Sequence, residues 1–438
     1  MAFVRSIGRW GLTALVINCI IGSGIFGVPA VLIGILGRAS PIAMVIAGLA
    51  MGSIMLCYAE VASQFTQPGG SYLYTRAAFG NFAGLQVGWF WWLSTLGGAA
   101  ANANLFVIYL GGLLPWAAHG FGRALIITGI IAAPTVANYV GVRSGANLSS
   151  ALTVAKLVPL AGLIVLGLAH FSRHFEVITT AEVAAPSLLA WFDALLLLVF
   201  TFGGFEDAMV PMGEVKDPRR SVPMALCLAM ASCVAVYTLL QFVVVASIGA
   251  SRTQEPLAAT AAVLIGRGGA VFIEGAAMIS TYGWISASLL NAPRLVYSLA
   301  AQGEFPAPLG RLHPRFNTPH VALLLFAGLA WLLSVTGTFQ WTLALSAGSM
   351  MTYYATVSGA LVRLRRTQPN VPAFRVPFGP VFSVIGIMIS LVLLSRLEGK
   401  QALLMCVTAA IATANWLWAR RRAAREARAI AAAGRSSD

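Results

Sequence analysis

From Trp10 to Gly37 the chain carries no charged side chain, and apolar runs of similar length return along its whole course. A helix needs about 20 apolar residues to cross the hydrocarbon core of a bilayer. Each run is long enough to do so. Twelve spans are predicted, at 10–35, 41–63, 82–113, 122–141, 145–169, 189–213, 222–249, 270–301, 319–336, 339–362, 376–396 and 400–419. The composition agrees: 58% of residues are hydrophobic and only 10% charged, against about 25% charged in ordinary soluble domains. The reading is an all-α integral membrane protein with twelve transmembrane helices.

A net charge of +14 would suggest nucleic acid in a soluble protein. Here it is better read through the rule that Lys and Arg collect in cytoplasmic loops. With both termini inside, the cytoplasmic segments gather Arg5, Arg9, Arg76, Arg143, Lys216, Arg219, Arg220, Arg294, Arg311, Arg315, Arg363, Arg365, Arg366, Arg375 and the arginines from Arg420 to Arg435. The other side keeps Arg38, Arg123, Arg173, Arg252, Arg267, Arg396 and Lys400. The expected location is the cytoplasmic membrane, and the basic tail at 420–438 is expected to meet anionic lipid rather than nucleic acid. The N-terminal apolar run has no small-residue cleavage site and is expected to remain as the first helix.

Neither the five cysteines nor the five histidines show a metal-ligand spacing, so no cofactor or metal is expected. An enzyme is disfavoured for want of a nucleophile–base pair or a soluble domain. A non-transporting sensor is disfavoured because the longest stretches between spans are under about 25 residues.

The segment "IGSGIFG" contains Gly22, Gly24 and Gly27 at the G-x-G-x-x-G spacing of dinucleotide-binding loops. That fingerprint needs a preceding strand and an acidic residue about 20 positions on. Both are missing. The glycines instead interrupt the first span in its middle, and "FTFGGFED" (200–207) interrupts the sixth in the same way. Paired interruptions in two halves of a membrane protein point to inverted repeats with a midplane substrate site. Residues 10–169 and 189–362 would be the two five-helix repeats, and 376–419 two additional helices. Unwound backbone at membrane depth needs polar partners. Amides opening a half-helix suit a carboxylate, carbonyls closing one suit an ammonium, and an α-amino acid carries both.

These motifs, with "CYAEVASQFTQPGGSYLYTRAAFG" (57–80) and "FTFGGFEDAMVPMGEVKDPRRSVP" (200–223), resemble the amino acid–polyamine–organocation superfamily over most of the chain. The resemblance is to its sodium-independent L-type and cationic amino-acid branch, and it implies a LeuT-type 5+5 fold and secondary amino-acid transport. It implies that the substrate carboxylate meets Ser23 and Gly24, with Ile25 beside them. The ammonium would meet the carbonyls of Ile20, Phe200 and Gly203, and Phe200 would also act as an aromatic gate. It further implies that Lys156, deep in the fifth span, takes the place of a sodium ion near Gly22 with Ser286 as a neighbour.

A charge at that depth is a functional hypothesis in its own right. Lys156 could also release a proton during the cycle. For Glu206 three roles are open: acceptor for freed backbone N–H groups, proton carrier, or counter-charge for a cationic substrate. Asp207 is read as a cap for the half-helix that follows. Asn102, Asn104, Trp284, Ser286, Ser288, Ser346 and Ser349 are candidates for the side-chain pocket. The pattern leans toward neutral amino acids carried by exchange or proton symport, with a cationic or polyamine carrier as the alternative. The oligomeric state is open.

Overall fold

The computed structural model describes residues 8–22, 24–65, 69–140, 146–171, 186–209, 215–249, 253–371 and 373–435; for 146–156, 423 and 425–435 only the backbone is described. Among the described residues the architecture is all-helical. The chain begins with α1 (Arg9–Ile20), α2 (Gly24–Leu36), α3 (Ser40–Ala62), α4 (Gly70–Phe79) and α5 (Asn81–Leu113). It continues with α6 (Gly120–Val140), α7 (Ala146–Phe171), α8 (Leu188–Phe202), α9 (Pro218–Ile248) and α10 (Pro256–Ile265). The last five helices are α11 (Arg267–Ala301), α12 (His320–Thr336), α13 (Phe339–Thr367), α14 (Gly379–Leu394) and α15 (Gly399–Arg435).

Six stretches are long and apolar enough to cross a membrane: Gly24–Ala62, Asn81–Leu113, Gly120–Val140, Leu188–Met209, Pro218–Ile248 and Gly399–Arg422. Shorter apolar helices accompany them, and α11 and α13 are long but more polar. The chain is a multi-pass membrane protein. Its lipid-facing character shows in exposed Leu49, Phe121, Val165, Leu188 and Leu403, a distribution that water would penalise and hydrocarbon does not.

Both interruptions expected from the glycines are present. The first predicted span is two helices, α1 and α2, with a break at Ile21. The sixth breaks after Phe202, inside the expected segment 200–207, because Gly203 turns extended (φ −76, ψ −177) and Gly204 takes φ +93. Two short helices also lie outside the predicted spans. Each ends on a glycine in the same conformation, α4 at Gly80 (φ 86, ψ −178) and α10 at Gly266 (φ 78, ψ −172), and each leads straight into a long helix. A side chain is all but forbidden in that region of backbone space.

Helix α5 is the hub, packing on α13, α11, α4, α12 and α15, while α3 and α1 pack on α9, and α2 on α8. Without a hydrophobic drive inside lipid, close approach through small residues supplies the contact. A Cβ on Gly97 would stand 3.0 Å from both the Ser346 nitrogen and the Thr342 carbonyl oxygen, so α5 and α13 meet backbone to backbone. At one end of the bundle the buried Glu60 of α3 takes a forked ion pair from Arg365 of α13, Nε to Oε1 and Nη2 to Oε2 both at 2.6 Å. The Val376 N–H also donates to Glu60 (2.8 Å), and Arg365 donates to the Val376 carbonyl (2.8 Å). Three elements far apart in sequence are thereby joined.

Candidate functional site

The first interruption is a tight turn. Ile21 sits at φ −74, ψ 79, and the Gly22 N–H bonds back to the Ile20 carbonyl at 2.7 Å, an inverse γ-turn. The Ile20 carbonyl also accepts the Tyr237 hydroxyl at 2.9 Å, so its two lone pairs are engaged. The helix restarts at Gly24, and the opening amides of Gly24, Ile25 and Phe26 find no acceptor among the described residues, as expected for the first turn of a helix.

The three glycines of the opening motif do different jobs. A Cβ on Gly24 would lie 3.1 Å from Thr201 Cα and 3.3 Å from Phe200 Cδ1, so its absence lets α2 press against α8. Gly27 makes room for Phe339 and Leu105, a packing role. Gly22 has space around it, with nothing nearer than 3.9 Å to a built Cβ.

The second interruption is organised by Glu206, which is buried. Its Oε1 accepts the Tyr353 hydroxyl (2.7 Å), and its Oε2 accepts the Tyr354 hydroxyl (2.7 Å) and the Gly204 N–H (3.0 Å). Three donors on one buried carboxylate satisfy a group that hydrocarbon could not. Asp207 opens a three-residue 3-10 turn, Asp207–Met209, with its N–H on the Gly204 carbonyl at 3.1 Å. Its side chain is exposed, and Oδ1 accepts the Trp91 indole N–H at 3.2 Å.

Both interruptions open onto one cavity of about 40 Å³, large enough for a few waters. Cys19, Ile20, Gly22 and Gly24 line it from the first interruption, and Phe200, Gly203, Gly204, Glu206 and Asp207 from the second. Helix α5 adds Trp91, Ser94 and Thr95, α11 adds Trp284, and α13 adds Ser346, Met350 and Tyr353.

Of the residues singled out from sequence, Ile20, Gly22, Gly24, Phe200, Gly203 and Glu206 meet at this cavity, as do Trp284 and Ser346. Ile25 does not: it is fully buried in the helix packing behind Gly24. Ser286, half-buried on α11, is also absent from the lining. Ser23 and the Lys156 side chain lie outside the described residues.

Other pocket candidates are engaged within their own helices: Asn102 with the Gly98 carbonyl (2.8 Å), Ser288 with that of Ile285 (2.8 Å), and Ser349 with that of Leu345 (2.9 Å). Asn104 bonds to the Ala100 carbonyl (2.9 Å) and accepts from Arg123 (2.5 Å). Sequence reasoning missed Trp91, Ser94, Thr95, Met350 and the tyrosine pair. The doublet Tyr353-Tyr354 did carry a signal: two hydroxyls inside an apolar span need strong acceptors, and the carboxylates at 206 and 207 were the ones at that depth.

A multi-pass helical membrane protein whose interrupted helices share one internal polar cavity has the build of a transporter. The chain belongs to the amino acid permease family, whose model matches residues 7–419. It is 27% identical to the serine/threonine exchanger SteT of Bacillus subtilis, across 87% of this chain and 89% of that protein. It is 24% identical to the branched-chain amino acid permease BcaP of the same organism, across 90% and 88%. An uncharacterized transporter of Mycobacterium tuberculosis is 29% identical across 75% and 73%.

Proposed function

We propose that this protein carries amino acids across the cytoplasmic membrane by sodium-independent alternating access, with both termini cytoplasmic. The observation that carries the reading is the pair of helix interruptions facing one cavity. The free amides at Gly24 and Ile25 offer the substrate carboxylate a helix N-terminus, so Ile25 acts through its backbone although its side chain is turned away. The carbonyls of Phe200 and Gly203 receive the ammonium. Ile20 is the weaker member of that set, since its carbonyl already takes two donors. Phe200 at the cavity edge is the gate.

The fold proposed is twelve spans, two inverted five-helix repeats at 10–169 and 189–362, and the added pair at 376–419. Its support is the recurrence of element order. The interrupted α1–α2 answers the interruption after α8, α3 answers α9, α4 with Gly80 and α5 answer α10 with Gly266 and α11, and α6 and α7 answer α12 and α13. Alternating access follows from rocking such repeats about a fixed midplane site.

Lys156 is proposed to stand where other carriers of this fold hold sodium, bonding carbonyls near Gly22 with Ser286 as its neighbour. Glu206 is proposed as the structural acceptor of the second interruption, because its three donors leave it poorly placed to meet a substrate charge. The exchanger among the relatives supports exchange as the coupling mode.

The test is uptake by purified protein in liposomes, comparing a sodium gradient, a proton gradient and preloaded amino acid. Uptake that needs no sodium and is driven by internal amino acid is expected. A strict sodium requirement refutes the Lys156 assignment, and uptake into empty vesicles driven by protons replaces exchange with symport.

A further inference from the structure

We propose that Asp207 reads the substrate side chain and selects amino acids whose side chain carries a positive charge. This rests on the transport reading above and departs from the sequence-based leaning toward neutral side chains. A substrate held by its α-groups at the two interruptions must project its side chain toward the remaining walls of the cavity, on α5, α11 and α13. Asp207 is the residue of the second interruption that reaches across to α5, through the Trp91 indole.

The count of acceptors points the same way. The cavity lining holds two carboxylates and, among the described residues, no Lys, Arg or His. Glu206 uses both oxygens on Tyr353, Tyr354 and Gly204, and Asp207 uses one oxygen on Trp91. Its Oδ2 has no partner among the described residues and its side chain is exposed. An ionised carboxylate oxygen facing the cavity is an acceptor that an ammonium or guanidinium can use in a charge-assisted hydrogen bond. A neutral apolar side chain leaves that acceptor unused, while a cationic side chain engages it.

The surrounding surface suits an organic cation as well. Trp91, Trp284, Phe200 and Tyr353 all line the same space, and aromatic faces attract ammonium and guanidinium groups. Asp207, not Glu206, is therefore the counter-charge.

The experiment is competition against labelled amino-acid uptake in liposomes, using lysine against norleucine and ornithine against norvaline. In the wild type the charged member of each pair should compete about tenfold or more better, the worth of one charge-assisted hydrogen bond. Asp207→Asn should abolish that ratio, while Asp207→Glu, with its longer reach, should keep it and shift preference from lysine toward ornithine. Equal competition within each pair in the wild type overturns the proposal, and needs no variant to fold. So does an Asp207→Asn protein that keeps the wild-type ratio, or one that weakens charged and neutral members equally, which would put Asp207 on the α-ammonium. Wild-type vesicles that take up no amino acid would overturn the transport reading itself, and this proposal with it.

Discussion

Replacing Gly204 by alanine should be far more damaging than replacing Gly22, although both glycines lie on the cavity. Gly204 holds φ +93, and a Cβ there would stand 2.6 Å from the Cys19 carbonyl oxygen, a backbone atom that cannot swing away. Holding a side chain in that region of backbone space costs about 1–3 kcal/mol, and overpacking a filled site about 1–3 kcal/mol more. The sum is about 2–6 kcal/mol, a large share of the roughly 5–15 kcal/mol that holds a typical domain folded. Gly22 has a φ outside the left-handed range, and its nearest neighbours to a built Cβ lie at 3.9 and 4.0 Å. Gly22→Ala should stay within about 0.5 kcal/mol of wild type. The assay is thermal unfolding of the purified protein in detergent, followed by tryptophan fluorescence. A Gly204→Ala protein that melts with wild type, or a Gly22→Ala protein that falls as far as Gly204→Ala, would refute the claim that the second interruption is locked by contact with the end of α1.

Two further outcomes follow from groups outside the cavity. Arg365→Ala leaves Glu60 as a buried carboxylate stripped of its forked partner, which should cost about 3–5 kcal/mol, whereas Arg365→Lys keeps the charge and should cost less; melting midpoints of the two variants check the order. Glu255, in the segment before α10, has its carboxyl pushed up from 4.5 to about 7, first by burial and then by Glu274, with Arg267 pulling the other way. A raised carboxyl stabilises the folded state while protonated. That contribution is full below about pH 4.5, is lost as pH climbs through about 7 and stays lost above it. The wild-type melting temperature should therefore fall between about pH 5 and about pH 8 by more than that of Glu255→Gln, and parallel profiles would contradict this.

Much of the architecture was legible along the chain because lipid is an unforgiving solvent. Helices α3, α5, α6, α9 and α12 begin and end within a few residues of the spans read from hydropathy, since a bilayer demands apolar side chains and satisfied backbone over a fixed length. The interruptions were legible for the converse reason. Glycines inside such a run, at Gly22–Gly24 and Gly203–Gly204, release backbone that must find polar partners.

What the chain alone could not decide was which partners those are. Glu206 is answered by hydroxyls 147 and 148 residues away, and Glu60 by a guanidinium 305 residues away. Tyr237 reaches the Ile20 carbonyl across 217 residues. Hydropathy is a property of each residue and its near neighbours, so it writes the spans. Hydrogen bonds and close approaches are properties of pairs, and folding alone chooses the pairs. That choice separates Glu206, whose charge is consumed by three donors, from Asp207, one residue on, which lines the cavity and keeps one oxygen without a partner among the described residues.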